Sequence, residues 1–396
     1  MRSNTWRAFM LFSLALVLVA GALDAQAARR SSLAGNQFID DADDMFAFPQ
    51  LTMKYKNRVI IDMAPNITFD EGTEDEVTVQ YGNASVIFGD NFAWNFNTGR
   101  GDYLNNTASW AMGSADRFGS LPMFGAPMMA TEWWDLGMAT NLGDTPFGFN
   151  ISWATDKNEV TPAQGTNTDQ SFSMFSLQAG ATLGSIDLAG EVGFGSYSDN
   201  SEGLTPQDQN DVSLFNFSLL GRGNIDDFGG VDWRWIAAFT TGSDDPKADG
   251  AEKMTTTAFR GSFGPVWGTP GEWEVAAYMN FEYMKDDFGG EDSWETMSFP
   301  AYNMAMEYYL NSWLVARGGV RSYNATETYT EGVLDGKDEE KGRVYSLAWT
   351  MGLGVDKGNW GLDLALNEDD VHSGYLPLNG SVSDTPIAYM TAWLAW

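Results

Sequence analysis

The chain has one histidine, His372, in the run Glu368-Asp369-Asp370-Val371-His372, and no cysteine. An imidazole beside carboxylates activates water only when further carboxylates reach it from another loop, and no second motif of that kind accompanies this one. A lone histidine leaves almost nothing from which to build a Ser–His–acid triad or a histidine metal site. The lack of cysteine removes disulfides, thiolate metal sites, iron–sulfur clusters and thiol nucleophiles. No stretch has the Asp-x-Asp-x-Asp-Gly order of a calcium loop. These residue types predict no enzyme, no resident metal and no cofactor. Charge is the other chemical resource: 54 Asp and Glu face 22 Lys and Arg, a net charge of −32. A surface that negative repels phosphate backbones and excludes nucleic acid as a partner.

The elements that carry these charges have a period of two. From Trp273 to Tyr283 the odd positions are all apolar or aromatic, while the even ones include Glu274, Asn280 and Glu282. Phe92, Trp94 and Phe96 alternate with Asn91, Asn95 and Asn97, and Trp360, Leu362, Leu364 and Leu366 with Gly361, Asp363, Ala365 and Asn367. On extended chain the two sets face opposite sides of a sheet. Strands are expected near 57–64, 76–88, 91–98, 131–140, 147–155, 171–183, 186–198, 211–222, 231–241, 254–267, 272–284, 294–310, 313–323, 343–356, 359–367 and 386–396, with a bulge near Gly82-Asn83.

At the N-terminus, Arg2 and Arg7 precede the apolar run Phe9–Ala22 and the small-x-small box Ala25-Gln26-Ala27. This is the layout of a secretory signal peptide over residues 1–27, cleaved after Ala27. The run is too short for a spanning helix, and no later stretch approaches the roughly 18 apolar residues that one needs. A membrane location therefore requires a closed barrel. Connections after even-numbered strands are short (Gly89-Asp90-Asn91, Gly184-Ser185, Asn311-Ser312), and those after odd-numbered strands are long and polar. Phe92, Phe147, Trp233, Trp273, Trp313 and Trp360 each follow a short turn within a few residues. Short turns at one end, long loops at the other and an aromatic girdle describe a transmembrane antiparallel up-and-down β-barrel of about 16 strands over 57–396. The even spacing of Trp233, Trp273 and Trp313 also suits a propeller blade. Each interval, however, holds two strands of bilayer-spanning length rather than four short ones.

The chain ends Tyr389-Met390-Thr391-Ala392-Trp393-Leu394-Ala395-Trp396. Met390, Ala392, Leu394 and the terminal Trp396 resemble the C-terminal signal of bacterial outer-membrane proteins, where the last residue is more often Phe. The resemblance, at the level of the class, covers 57–396. It implies a Gram-negative outer membrane, recognition by the barrel-assembly machinery, contact with lipid and lipopolysaccharide, and the homotrimer common among porins of this size. Asp370-Val371-His372 resembles the Asp-x-His element of outer-membrane aspartyl proteases, but those have ten strands.

Sixteen strands enclose a lumen wide enough for water. The positions assigned inward are polar, so a wet lumen is expected. Its acids would be Asp62, Asp135, Asp187, Glu191, Asp232, Glu272, Glu274, Glu282, Glu307 and Asp363, and its bases Arg58, Arg222, Arg234, Arg260, Arg317 and Arg321. The excess of acids predicts a modest preference for cations; the competing reading is a set of lateral ion pairs that stiffen the wall. The long second loop, 99–130, holds Trp110, Phe118, Met123, Phe124 and Met128 and is expected to enter the lumen as a constriction. Residues 28–56 form a periplasmic or plug segment. There Ala42-Asp43-Asp44 and Phe48-Pro49 resemble the hatch segment of long-chain fatty-acid transporters, though at shorter spacing and with Phe48 in place of Asn. The functional expectation is a porin-type channel for passive diffusion of small hydrophilic solutes or cations. The alternatives are a transporter of hydrophobic substrates, or a surface and adhesion barrel with a blocked lumen.

Overall fold

A computed structural model describes residues 28–42, 44–63, 67–69, 77–79, 82–100, 132–160, 168–200, 211–225, 231–247, 253–289, 292–333, 336–366 and 387–396. Strands β1 (Arg58–Met63), β2 (Ile67–Phe69), β3 (Val77–Val79), β4 (Gly82–Phe88), β5 (Phe92–Arg100), β6 (Glu132–Leu142), β7 (Thr145–Val160), β8 (Thr168–Leu183) and β9 (Ile186–Asp199) make up the first half. The second half is β10 (Asp211–Ile225), β11 (Asp232–Pro246), β12 (Met254–Thr269), β13 (Trp273–Asp287), β14 (Ser293–Tyr309), β15 (Leu314–Val333), β16 (Gly336–Asp356), β17 (Trp360–Leu366) and β18 (Ile387–Ala395). All but β2 and β3 form one closed antiparallel barrel of 16 strands. β1 closes it, pairing on one side with β4 and on the other with β18, from Arg58↔Ala395 to Met63↔Met390.

Period-two patterning becomes two solvents. Asn216, Ser218 and Leu220 are buried on the inner face of β10, while Phe215 and Leu219 project outward, with Leu219 50% exposed. The same holds for Leu177 against Ser176 and Gln178, and for Phe194, Leu136 and Trp153 on their strands. Exposed apolar side chains around a whole cylinder are an unstable surface in water and the expected one in lipid. Phe92, Trp273, Trp313 and Trp360 stand exposed at the short-turn end, where Lys357 Nζ lies 4.5 Å from the Trp313 ring centre. On β18, Thr391 is buried inside, so Met390, Ala392 and Leu394 lie on the opposite, lipid-type face. The Trp396 N–H donates to Asn57 O, 3.1 Å away, which fastens the chain end beside the start of β1.

Two expectations are corrected. β4 runs from Gly82 in unbroken register with β1, so no bulge sits at Gly82-Asn83 among the described residues; Ile67–Phe69 and Val77–Val79 form the separate pair β2–β3. Register shifts fall instead at Asn280/Glu282, Ser298/Tyr302 and Ala365/Leu366. The span 324–342, read as a loop, is largely a hairpin, because β15 and β16 continue pairing up to Val333↔Gly336. Beyond the bilayer both faces are wet, so apolar alternation disappears while Thr and Tyr still favour strand. Asp338, Glu339 and Glu340 are therefore strand residues.

Leu219→Arg, in mid-strand on the outer face, is expected to weaken the barrel by about 2–4 kcal/mol, measured by urea titration of folding into phospholipid vesicles. An unchanged midpoint would mean that this face does not meet hydrocarbon.

Candidate functional site

The segment Ala28–Tyr55 lies inside the barrel. It consists of helix α1 (Ala28–Ser32), helix α2 (Asp44–Ala47), a 3-10 helix Pro49–Tyr55 and the turns between them. Leu33, Phe38, Ile39, Met45, Phe46 and Phe48 are all buried. They require an apolar surface, and inward positions of the wall supply one: Leu33, Phe38, Ile39 and Phe48 form one core with Ala189, Leu220, Ile236, Ala238, Val266, Ala276, Tyr278 and Ala305. The Phe38 and Tyr278 ring centres are 4.4 Å apart. Met45, Phe46 and Tyr55 pack with Ile60 and Ile87 in a second cluster. Where the segment's backbone touches the wall, the wall has glycine. A Cβ on Gly148 would strike Pro49 and Gln50, one on Gly319 would strike Leu33 and Ala34, and one on Gly352 would strike Ser32. The expectation of a wholly wet lumen is thus corrected for the short-turn half, where the wall is apolar or small and the space is filled by chain.

Polar contacts fix the segment's position. Asp44 accepts from Arg30 Nη2 at 2.6 Å and from Arg222 Nη1 at 2.7 Å, while Arg222 Nε donates to Asp187 at 2.9 Å. On the other side of the lumen, Arg29 donates to both oxygens of Glu307 at 3.0 and 3.2 Å. Arg317 donates to Glu307 at 2.6 Å and also to Asp363. Asn36 and Asn303 pair at 2.7 Å, Gln178 donates to Ala47 O, Thr350 to Ser32 O and Arg234 to Phe38 O. At the β1–β18 seam the Ala28 N–H donates to Thr391 Oγ1 at 2.7 Å, and that hydroxyl donates to Asp62 at 2.6 Å. Burial alone would raise the Asp44 pKa, but Arg222 and Arg30 outweigh it and hold the carboxyl well below the usual range.

Of the residues expected to line a pore, Asp135, Glu191, Arg260, Glu307, Arg317 and Asp363 are buried on the inner face. Asp187, Arg234, Glu274, Glu282 and Arg321 are intermediate in exposure, and Asp232 is exposed at the start of β11. Glu272 is exposed in the turn before β13, so it does not lie on the wall. Asp135 accepts from Asn97 at 3.2 Å and Glu282 lies 2.9 Å from Arg260. The lateral-pair reading describes these contacts better than a row of free acids. The expected constriction residues Trp110, Phe118, Met123, Phe124 and Met128 lie outside the described residues, as does His372 with its neighbouring acids. No group of three or more potential metal ligands occurs among the described residues. Sequence reasoning missed how far Arg29, Asn36 and Asp44 bind the wall, with Arg30 holding Asp44 from within the segment. The available signal was the match between a segment rich in Phe and Leu and the run of Ala, Ile and Gly at inward short-turn positions.

Two wall surfaces lie on the long-loop side. Trp133, Ala154, Phe172, Met174, Tyr197 and Leu214, from the five consecutive strands β6 to β10, form an apolar cluster. Around the lumen, a cavity of about 300 Å³ lies between Ala34-Gly35 and Arg260, Tyr278, Glu282 and Arg321.

The closed cylinder, its lipid-type outer band and its occupied interior define an outer-membrane-type β-barrel with an internal segment. No family model and no curated protein matches the chain. Similar solved structures are Gram-negative outer-membrane β-barrels. CdiB from Escherichia coli is 13% identical with a TM-score of 0.42, over 86% of this chain and 62% of that one. The FrpB iron transporter from Neisseria meningitidis is 10% identical with a TM-score of 0.41, over 80% and 63%. OmpT, an outer membrane protein of Vibrio cholerae, is 12% identical with a TM-score of 0.32, over 86% and 95%. The chain thus spans less than two thirds of the length of the first two.

Asp44→Asn removes one partner of a buried charge pair and is expected to weaken docking of the segment by about 3–5 kcal/mol. Hydrogen exchange of amides 28–56 in the refolded barrel reads this directly, with the strand amides as control. Because docking lowers the Asp44 pKa, its contribution is complete at neutral pH. It declines once the undocked carboxyl begins to protonate near its ordinary value of 3.8 and is gone below the docked pKa. Exchange in the segment should therefore be flat from pH 7 to 5 after correction for the intrinsic rate, and should rise selectively below about pH 4. A uniform rise over the whole barrel would overturn the assignment.

Proposed function

We propose that this protein is an outer-membrane transport barrel whose passage is closed from the short-turn side by its own residues 28–56, so that solute crosses only when that segment shifts. The observation that carries this reading is the joint apolar and ionic seating of Ala28–Tyr55 across the lumen. A constitutively open porin with a cation-preferring wall is the competing reading. It has less support, because Asp187, Glu307 and Asp363 are occupied by Arg222, Arg29 and Arg317. The apolar cluster around Trp133 favours a second reading, transport of a hydrophobic substrate. We assign no catalytic role.

The cysteine-free chain permits a direct test. Asn36 and Asn303 meet side chain to side chain at 2.7 Å, so Asn36→Cys with Asn303→Cys, bridged by a short reducible dithiol crosslinker, would tie the segment to β14. The crosslinked variant should show no conductance steps in a planar bilayer, and reductant should restore whatever gating the native chain shows. Removing residues 28–56 should give large, steady steps. Native chain that conducts steadily, and equally well when crosslinked, would return the protein to the porin class.

Export by a cleaved signal peptide belongs to the same reading. Cleavage after Ala27 would turn the Ala28 nitrogen into an ammonium one hydroxyl away from the buried Asp62 carboxylate. A charge-assisted contact of that kind is roughly twice as strong as a neutral one. A chain beginning at Ala28 should hold its segment more tightly than the same chain acetylated at Ala28, as judged by hydrogen exchange over 28–35. Equal protection in the two would remove the ammonium from the account.

A further inference from the structure

The cavity of about 300 Å³ on the long-loop face of the segment is cationic, in a chain whose net charge is −32. It is lined by Arg260 on β12, Tyr278 and Glu282 on β13, and Arg321 on β15, with Ala34-Gly35 of the segment at its base. Arg260 and Glu282 are direct cross-strand partners. Their charges pair, with Nε 2.9 Å from the carboxylate, yet the Nε–H is not directed at the oxygen. Arg260 is only 7% exposed, and its Nη1 is buried with no hydrogen-bond partner. Guanidinium cannot discharge by losing a proton, and a buried donor without an acceptor is costly. Of the other polar groups nearby, Asn280 accepts from Ser262 and Asn303 bonds both Asn36 and Ala34 O, while Gln37 of the segment brings a buried Oε1 with no partner to the same cavity. Arg321 has no ion pair among the described residues and adds a second positive charge.

We infer that this cavity is a binding site for a small organic monocarboxylate, held by Arg260 and Arg321. Two guanidiniums against one carboxylate leave a single positive charge to neutralise, which suits a monoanion better than a dianion. The planar fork of arginine matches the two oxygens of a carboxylate. The available volume fits a small solute. Arg260, Glu282 and Arg321 lie farther from the short turns than Glu307, Arg317 and Gly148, which hold the segment. A solute arriving from the long-loop side therefore meets the arginines before the closure, and it rests on the turn that would have to move. The inference builds on the transport reading, but binding to the closed barrel is an equilibrium property and does not require that the segment ever opens.

The test is isothermal titration of the refolded 28–396 chain in detergent micelles with sodium propionate and sodium benzoate, using methylammonium chloride and inorganic phosphate as counter-probes. Carboxylate should bind one per chain, Arg260→Gln should weaken it at least about tenfold, and Arg260→Lys should fall between. Arg321→Gln, which leaves the buried pair intact, should also weaken it and keeps the test open if Arg260→Gln does not refold. Carboxylate that does not bind, binds both glutamine variants as well as native chain, or binds no better than phosphate or methylammonium would overturn the assignment. Carboxylate binding in a chain whose crosslinked and free forms conduct alike would leave the site standing and remove only the gating.

Discussion

The fixed point of this molecule is the Asp44 carboxylate, almost wholly buried between Arg30 of its own segment and Arg222 of the wall. Such a charge has no neutral resting place away from that pair. Leaving it while still inside the barrel strands two guanidiniums and a carboxylate in low dielectric, and leaving it altogether means rehydrating all three. Docking is consequently close to two-state. The fit of Phe38 and Phe48 against the wall sharpens this, since close-packed apolar surfaces separate rather than slide. Arg222 also stacks 4.9 Å over the Phe48 ring, joining the ionic and apolar halves of the contact.

The wall is shaped to suit. An empty wide barrel has polar residues inside because water fills it, and β10 shows this toward its long-loop half with Asn216 and Ser218. Nearer the short turn the same face carries Leu220, then Arg222. β11 likewise carries Thr240 farther up, and Ala238 and Ile236 lower down. Below the apolar Leu214, the inner face of β10 thus passes from a polar to a segment-facing lining, and the change occurs where the segment begins. Gly148, Gly319 and Gly352 mark where the segment's backbone lies directly on the sheet.

The barrel was legible because the lipid imposes its period on every strand that crosses it. Leu177, Phe194 and Leu219 have to be apolar whatever lies inside, and the short turns set the hairpin order. Where the bilayer ends, that constraint ends, which is why the polar hairpin tips of β15 and β16 were invisible to periodicity while their lower parts were not. The filled lumen was only half legible. Ile236, Ala238, Val266 and Ala276 read as breaks in the polar inward pattern, and only the partners brought from residues 33–48 give them a meaning. Pairings such as Arg29 with Glu307, or Arg30 and Arg222 with Asp44, depend on folding the N-terminus back across the cylinder. No local pattern encodes that distance.

The same geometry revises what the chain's acidity does. An excess of lumen acids would act as a cation-attracting field only if their charges were unopposed. Here Glu307 is shared by Arg29 and Arg317, Asp363 by Arg317, and Asp187 by Arg222, so the lower lumen is close to balanced. Arg260 and Arg321 against Glu282 make the cavity above it locally positive. Buried pairs are also screened far less by salt than exposed charges are. Bulk ionic strength would therefore act on the exposed acids of the rim while leaving the seat of Asp44 nearly untouched. On the proposed gating, release of the segment would come from a local displacement, and the turn at Ala34-Gly35, which lines the cavity with the two arginines, is where a bound solute would exert it.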